Sequence, residues 1–331
     1  MKKPLAVVAV SVCAILSSGA VIAADGASAG EKKVLSEEAA LEEDEPQIFE
    51  AGFDAEFFSA YVWRNSVLND RPVIQPSVWG EFTYFEPFWI GFWIWQNYDL
   101  TDRRRECLRN SLSETDYNVH AGATLWSSND ETMSVDLEIG HEWYANMGVQ
   151  RDCTEDYHDV RELYAKLSFN NEIVNVYGQV SWMYDDFGSC QRSFHYELGV
   201  NREIDILGPF ELPEDKLLFG LDWNVNFGDG RYLSYLYGGT PSGAYDHGED
   251  EGIYDDYADR PTAGIGGTTI KAYLTWNITE WMSLVGTIAY TGVLNDSSRD
   301  ALDDVDSGMG WEDDKYPRDL LWWGLSLKFA F

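Results

Sequence analysis

From Phe49 to the last residue, Phe331, apolar side chains recur at every second position in one run after another. A period of two belongs to a strand with one face against apolar surroundings and the other against polar ones. In "FEAGFDAEFFSAYVW", Phe49, Ala51, Phe53, Ala55, Phe57, Tyr61 and Trp63 share one face, and Glu50, Asp54, Glu56 and Arg64 share the other. The pattern predicts strands over 49–63, 73–85, 88–99, 115–126, 132–144, 160–169, 173–185, 193–203, 217–227, 268–278, 282–292 and 319–331. The count is about 12, with 10–14 allowed, because "RYLSYLY" at Arg231–Tyr237 also reads as part of a strand or the start of a hairpin. Several strands exceed the about five or six residues common in globular sheets.

The connectors decide how such strands close. Those after the second, fourth, sixth and tenth strands are short: Glu86-Pro87, "SSNDE" at 127–131, "NNE" at 170–172 and "TEW" at 279–281, while the one after the eighth, "IDILGPFELPED", is longer. Connectors at the other end are mostly longer and polar, and two, about 228–267 and 293–318, are very long. Short turns at one end and long loops at the other are the pattern of a transmembrane antiparallel β-barrel, with short periplasmic turns and long acidic extracellular loops. A soluble sandwich has no reason to sort its loops this way. An even strand number also brings both ends of the strand region to the short-turn side.

The faces agree with lipid outside. Tyr117, Val119, Ala121, Ala123 and Leu125 alternate with Asp116, Asn118, His120, Gly122 and Thr124, and Leu217 to Phe227 repeat the scheme. Trp and Tyr gather near strand ends, as in interfacial girdles. The chain of 331 residues carries 57 acids against 23 bases, a formal charge of −34, which argues against nucleic acid as a partner.

The first 48 residues read differently. Lys2 and Lys3, an apolar run Leu5–Leu16 and small residues beyond it predict a signal peptide over 1–24. Val12 before Cys13 is not the small residue a lipoprotein signal wants. Residues 25–48, rich in Glu, Ala and Gly, predict a disordered acidic periplasmic linker, and 49–331 the barrel. No later stretch is long and apolar enough for a membrane helix. The expected location is the outer membrane of a Gram-negative-type bacterium, with outer-membrane lipid as a partner.

Two resemblances follow from particular residues. "LLWWGLSLKFAF", with Leu321, Trp323, Leu325, Leu327, Phe329 and Phe331 alternating, resembles the C-terminal signal of outer-membrane barrels; it implies recognition by the barrel-assembly machinery through the strand ending at Phe331. "SAYVWRN" at Ser59–Asn65, followed by "PVIQPS" at Pro72–Ser77, resembles the first hairpin of the TorF-like porins (the Gcw_chp group) and related uncharacterised outer-membrane barrels. Asn65 stands where that group usually has Gly. The resemblance implies a pore and supplies no catalytic residue.

By parity, the inward face carries Asp54, Glu56, Glu81, Asp116, Asp136, Glu138, Glu142, Glu162, Glu197 and Asp222, against Arg64, Lys166, Lys271 and Lys328. Carboxylate rings select cations in pores. The bland reading is polar filler, with the acids paired to those bases and to tyrosine hydroxyls. Trp89, Trp93 and Trp95 share one face of a strand that is apolar on both sides, which suits stacking against a solute or simple lumen packing. Two loops are acidic; in the second, Asp303, Asp304 and Asp306 are weak Ca²⁺ candidates without EF-hand spacing, and a solvated loop is the competing reading. Cys107, Cys153 and Cys190 fall in connectors on the long-loop side, so a disulfide Cys107–Cys153 or Cys153–Cys190 is expected there. The five His stand in no hydrolase or metalloprotease motif, so no catalytic residue, no confident metal site and no cofactor are expected.

The expected function is a porin or channel passing small cationic or neutral solutes, with cation preference. The alternative is a non-conducting surface-binding or structural barrel whose acidic loops hold divalent cations or a partner. Either could be oligomeric.

Overall fold

The period-two runs become strands, and each strand finds its neighbour in sequence. The computed structural model describes residues 49–85, 87–100, 112–130, 132–145, 160–184, 193–207, 216–237, 263–299 and 318–331. The expected signal peptide, the linker, the three loop cysteines Cys107, Cys153 and Cys190, and Asp303, Asp304 and Asp306 lie outside them.

The described strands are β1 (Phe49–Phe58), β2 (Tyr61–Trp63), β3 (Ser66–Asn69), β4 (Val73–Phe85), β5 (Phe88–Asp99), β6 (Leu112–Ser127) and β7 (Met133–Ala145). They continue with β8 (Val160–Asn171), β9 (Asn175–Met183), β10 (Ser193–Asp205), β11 (Leu217–Gly228), β12 (Gly264–Thr279), β13 (Met282–Val293) and β14 (Asp319–Ala330). All but β2 and β3 form one closed antiparallel barrel of twelve strands. Closure leaves no edge, which a sheet in lipid requires because no water is present to bond a free backbone group. The seam is β1 against β14, from Gly52 opposite Ala330 to Phe58 opposite Gly324. The last residue completes it: Phe331 N donates to Ala51 O at 2.8 Å, and Ala51 N to Phe331 O at 3.1 Å.

Burial follows the pleat. Outward side chains such as Ile90, Val119, Ile139, Leu198, Ile288 and Leu321 are large, apolar and exposed. Together they form a continuous apolar belt, the kind of surface a barrel presents to lipid. At the short-turn end Trp281 stacks on Phe329 at 6.0 Å and on Phe331 at 6.5 Å. At the opposite end the Arg161 guanidinium lies 5.4 Å from the Trp143 ring.

Inside, several rings lie flat on the wall. Tyr164, Tyr177 and Tyr273 each face a glycine directly across the strand pair, at Gly140, Gly199 and Gly220. A Cβ on any of those glycines would collide with the ring. Trp89 over Gly122 repeats the device. Laid flat, the rings leave the middle of the barrel open to other occupants.

Two expectations are corrected. The first strand does not run to Trp63; it stops at Phe58, and Phe58 pairs with Val73 of β4. The intervening segment turns into the barrel as the hairpin β2–β3. Arg231–Tyr237 is neither strand nor hairpin but lies in helix α1 (Gly230–Tyr237). Asp229 caps α1, its Oδ1 accepting from Tyr232 N at 2.9 Å.

Gly220→Val should push the Tyr273 ring off the wall at a cost of about 1–3 kcal/mol, the range for overpacking. The urea midpoint of the refolded barrel should fall accordingly; an unchanged midpoint would mean that the ring is free to move.

Candidate functional site

The centre of the molecule is the inward hairpin. Its turn is a two-residue loop, Arg64–Asn65, between Trp63 and Ser66. Both residues are left-handed, with φ of 48° at Arg64 and 63° at Asn65. Two such residues in a row suit a tight hairpin, and Asn tolerates that region better than most side chains. Arg does not, and the conformation costs about 1–2 kcal/mol there. Its side chain gives the reason it is held.

The Arg64 Nη2 donates to Tyr144 OH at 2.8 Å and makes a short ion pair with Glu162. Its guanidinium carbon lies 4.6 Å from the Trp63 ring, 5.7 Å from Tyr144 and 5.9 Å from Tyr232. Glu162 is 0% exposed. Glu142 sits directly opposite Glu162 on the neighbouring strand. Like charges directly opposed repel, and Arg64 is the cation placed against them. Asp116 and Glu142 both lie within its electrostatic reach.

Other bonds tether the hairpin to several strands. Tyr61 OH donates to Glu114 at 2.6 Å. Asn65 Nδ2 donates to Gly267 O at 3.2 Å, Asn226 Nδ2 to Arg64 O at 2.5 Å, and Asn69 Nδ2 to Asp99 Oδ1 at 2.8 Å. Three apolar clusters surround it. Ala60 and Val62 meet Trp322 and Ala289; Tyr61 and Leu68 meet Val73 and Trp95; Trp63 meets Tyr144, Val160, Met183 and the helix residues Tyr232, Leu233 and Leu236.

The consequence is a lumen in two halves. Toward the long-connector end the inward positions Val73, Asn97, Glu162, Ser181, His195, Asn226 and Thr291 are each below 2% exposed. Toward the short-turn end Asp54, Glu81, Asp136, Glu138, Lys166, Glu197, Asp222, Lys271 and Lys328 are only half-buried. Glu56 is half-buried too, and accepts from Ser326 Oγ at 3.0 Å. Thus the thirteen strand residues expected on the inward face are buried or half-buried and alternate along their strands with the exposed apolar positions. Arg64 projects inward as well, but from the hairpin turn rather than from the wall.

The acids of the open half are partly neutralised. Asp54 is the cross-strand partner of Lys328, and Glu138 that of Lys166. Lys271 Nζ is 3.1 Å from Asp222. Tyr164 OH donates to Glu138 at 2.9 Å, and Tyr177 OH to Glu197 at 2.6 Å. Asp136 accepts from Asn170 at 2.6 Å and Ser134 at 3.0 Å. Trp93 and Trp95 also face inward, stacked at 6.2 Å, with Trp95 packed on Tyr61 at 5.5 Å. Those two indoles therefore pack around the hairpin.

Sequence reasoning missed Glu114, two residues before Asp116 on the same face, and the aromatic partners Trp63, Tyr144 and Tyr232. Extending the parity of Asp116 by one step would have found Glu114. The described histidines have other contacts: His120 with Asn118 at 2.8 Å, His141 with Tyr184 OH at 2.7 Å, and His195 with the Tyr232 ring at 4.8 Å. Among the described residues no group of three His, Cys, Asp or Glu is arranged to hold a metal ion.

No family model matches the chain, and no curated protein matches it. Among solved structures it is similar to the COG4313 outer membrane channel from Pseudomonas putida F1, at 10% identity and a TM-score of 0.45, over 86% of this chain and 94% of that one. It is also similar to outer membrane phospholipase A from Escherichia coli, at 11% identity and a TM-score of 0.41, over 85% and 92%. A third is the NanC porin, at 7% identity and a TM-score of 0.42, over 84% and 98%.

Arg64→Ala leaves Glu162 buried without its cation, which should lower barrel stability by at most about 3–5 kcal/mol. Adding Glu162→Gln should recover part of that loss in urea unfolding. A double variant no more stable than the single one would show that the ion pair is not what holds the hairpin.

Proposed function

We propose that the protein is an outer-membrane β-barrel channel for passive passage of small solutes, with cations preferred. The observation that carries this reading is the inward face: the ten carboxylates expected by parity, with Glu114 beside them, against four bases inside a closed wall. A low-dielectric wall concentrates that field on whatever enters. The apolar outer belt and the absence of a free edge support insertion in a membrane, with the short turns toward the periplasm and the long connectors outside. The C-terminal strand, closing the seam at Phe331, is the element the assembly machinery would read. Kinship with the TorF-like porins, suggested by Ser59–Asn65, belongs to the same proposal, as does a non-enzymatic role.

On this reading the packed half of the lumen represents a closed form of the channel. The hairpin segment can be removed without touching the wall, because Phe58 and Val73 are already paired. Replacing residues 60–71 by a short Gly-Ser turn should give a folded barrel that conducts in planar bilayers. Under a KCl gradient its reversal potential should have the cation-selective sign. Glu138→Gln with Glu197→Gln should reduce that selectivity. A folded, hairpin-deleted barrel that passes no current would favour the structural-barrel alternative, and anion selectivity would show that the three remaining bases, Lys166, Lys271 and Lys328, control the constriction.

A further inference from the structure

We infer that the cage around Arg64 is a recognition site for guanidinium- or amine-bearing solutes, occupied in the closed state by the hairpin's own Arg64. Such a solute entering the lumen displaces Arg64 and releases the hairpin. The inference rests on the channel reading and names the solute class for it.

The cage has the chemistry of an organic-cation site. On the barrel side it combines one carboxylate, Glu162, with a phenol, Tyr144, and the face of Tyr232 around a single guanidinium; Trp63, the other ring on that guanidinium, belongs to the hairpin and leaves with it. Rings stacked on a guanidinium, closed by a carboxylate, bind that group through cation–π attraction and charge-assisted hydrogen bonds. The tethered arginine does not exhaust the site. Glu162 Oε2 and Asp116 Oδ1 are buried with no hydrogen-bond partner among the described residues, and so is Arg64 Nη1. Glu162 and Asp116 are 0% and 3% exposed. Buried acceptors left over in this way favour a cation that reaches them better than a side chain held by its own turn.

The tether is also the part of the molecule suited to release. Its strands have three and four residues, and they pair with each other rather than with a barrel strand. A two-stranded hairpin of that size has little stability of its own. Its turn holds Arg64 in a left-handed conformation that leaving the cage would relieve. The barrel wall keeps all its ladders when the hairpin goes, since β1 and β4 pair directly.

A second station of the same kind lies nearer the short-turn end. The Lys166 ammonium is 5.1 Å from the Tyr177 ring, whose hydroxyl bonds Glu197. Lys166 is four residues along β8 from Glu162, about 13 Å at strand rise. The wall therefore makes, with its own lysine, the ammonium–aromatic–carboxylate contact that a passing amine would make on its way to or from the cage.

The test uses the full-length protein in planar bilayers, with agmatine as the guanidinium probe, putrescine as the amine and glutamate as the acidic control. Millimolar agmatine should raise the open-state occupancy of the wild-type channel about tenfold, because only a ligand that prefers the open form can shift the equilibrium. Putrescine should act in the same direction more weakly, since it lacks the planar fork, and glutamate should do nothing. Arg64→Ala and the hairpin-deleted barrel should conduct without agmatine and show no further opening with it. Should Arg64→Ala not fold, judged by heat-modifiable migration on gels, Asn65→Cys with Gly267→Cys supplies the second arm. Oxidation should lock the hairpin and abolish the agmatine response, and reduction should restore it. A conducting hairpin-deleted barrel beside a wild type indifferent to agmatine overturns this inference and leaves the channel standing. Response to agmatine in the oxidised, locked variant also overturns it. A folded hairpin-deleted barrel that never conducts overturns both.

Discussion

A ring of twelve strands is wider than its inward side chains can fill from the wall. About eight strands give an interior that side chains just close, and about sixteen give an open channel. The rest of this structure follows from that intermediate width. The wall flattens its tyrosines and Trp89 over glycines, which keeps the interior clear instead of filling it. The filling comes from the inward segment Ala60–Leu68 and helix α1, whose apolar residues pack against wall residues such as Tyr144, Met183, Trp322 and Trp95 in the three buried clusters. The apolar core of the protein is thus the interface between a plug and its barrel, in one half of the lumen only.

Charge then decides what the plug must carry. The inward face is acidic throughout, and in the packed half Glu114, Asp116 and Glu162 are shielded from water. A carboxylate in that setting requires a partner. Tyr61 and Arg64 answer it, and both belong to the hairpin. The plug is held by the same field that would draw a cation into the open half. A buried ion pair adds little net stability once desolvation is counted, and its better attested use is to fix one arrangement among several. Here it fixes the depth and orientation of a hairpin whose strands pair with no barrel strand.

Most of the wall was legible in the sequence because a closed barrel with an apolar outer face and a polar inner face imposes a period of two on every wall strand. Apart from the first, which ends at Phe58 rather than Trp63, the expected strands match the observed ones to within a few residues. The plug was illegible for the same reason. Tyr61 and Trp63 continue the alternation of β1, so the pattern does not register the bend at Ser59–Ala60 where the chain leaves the wall. The signal present was local: Arg64-Asn65 as a two-residue turn between Val62 and Val67, one residue out on either side. For α1 it was Asp229 ahead of Leu233 and Leu236, a cap before a helical spacing, which two further tyrosines disguised as a strand. No parity rule could pair Arg64 with Glu162, which lie 98 positions apart and meet only once the hairpin is inside.

The stretch Ser59–Asn65 shows how a short motif can specify a plug rather than a piece of wall. Ser59 ends the seam, its N donating to Trp323 O at 2.8 Å and its Oγ accepting from Trp323 N at 3.0 Å. Ala60 is small enough to pass Trp322 as the chain bends inward. Tyr61 reaches Glu114, Val62 packs on the Trp322 cluster, and Trp63 covers the guanidinium. Arg64 makes the ion pair, and Asn65 takes the left-handed turn position while its amide holds Gly267 O. A glycine at 65 would take the same backbone with less strain and give up the bond to the wall. Asn in this chain therefore exchanges an easier turn for a firmer tether. That choice suits a hairpin whose place in the barrel depends on side-chain contacts, since no barrel strand pairs with its backbone.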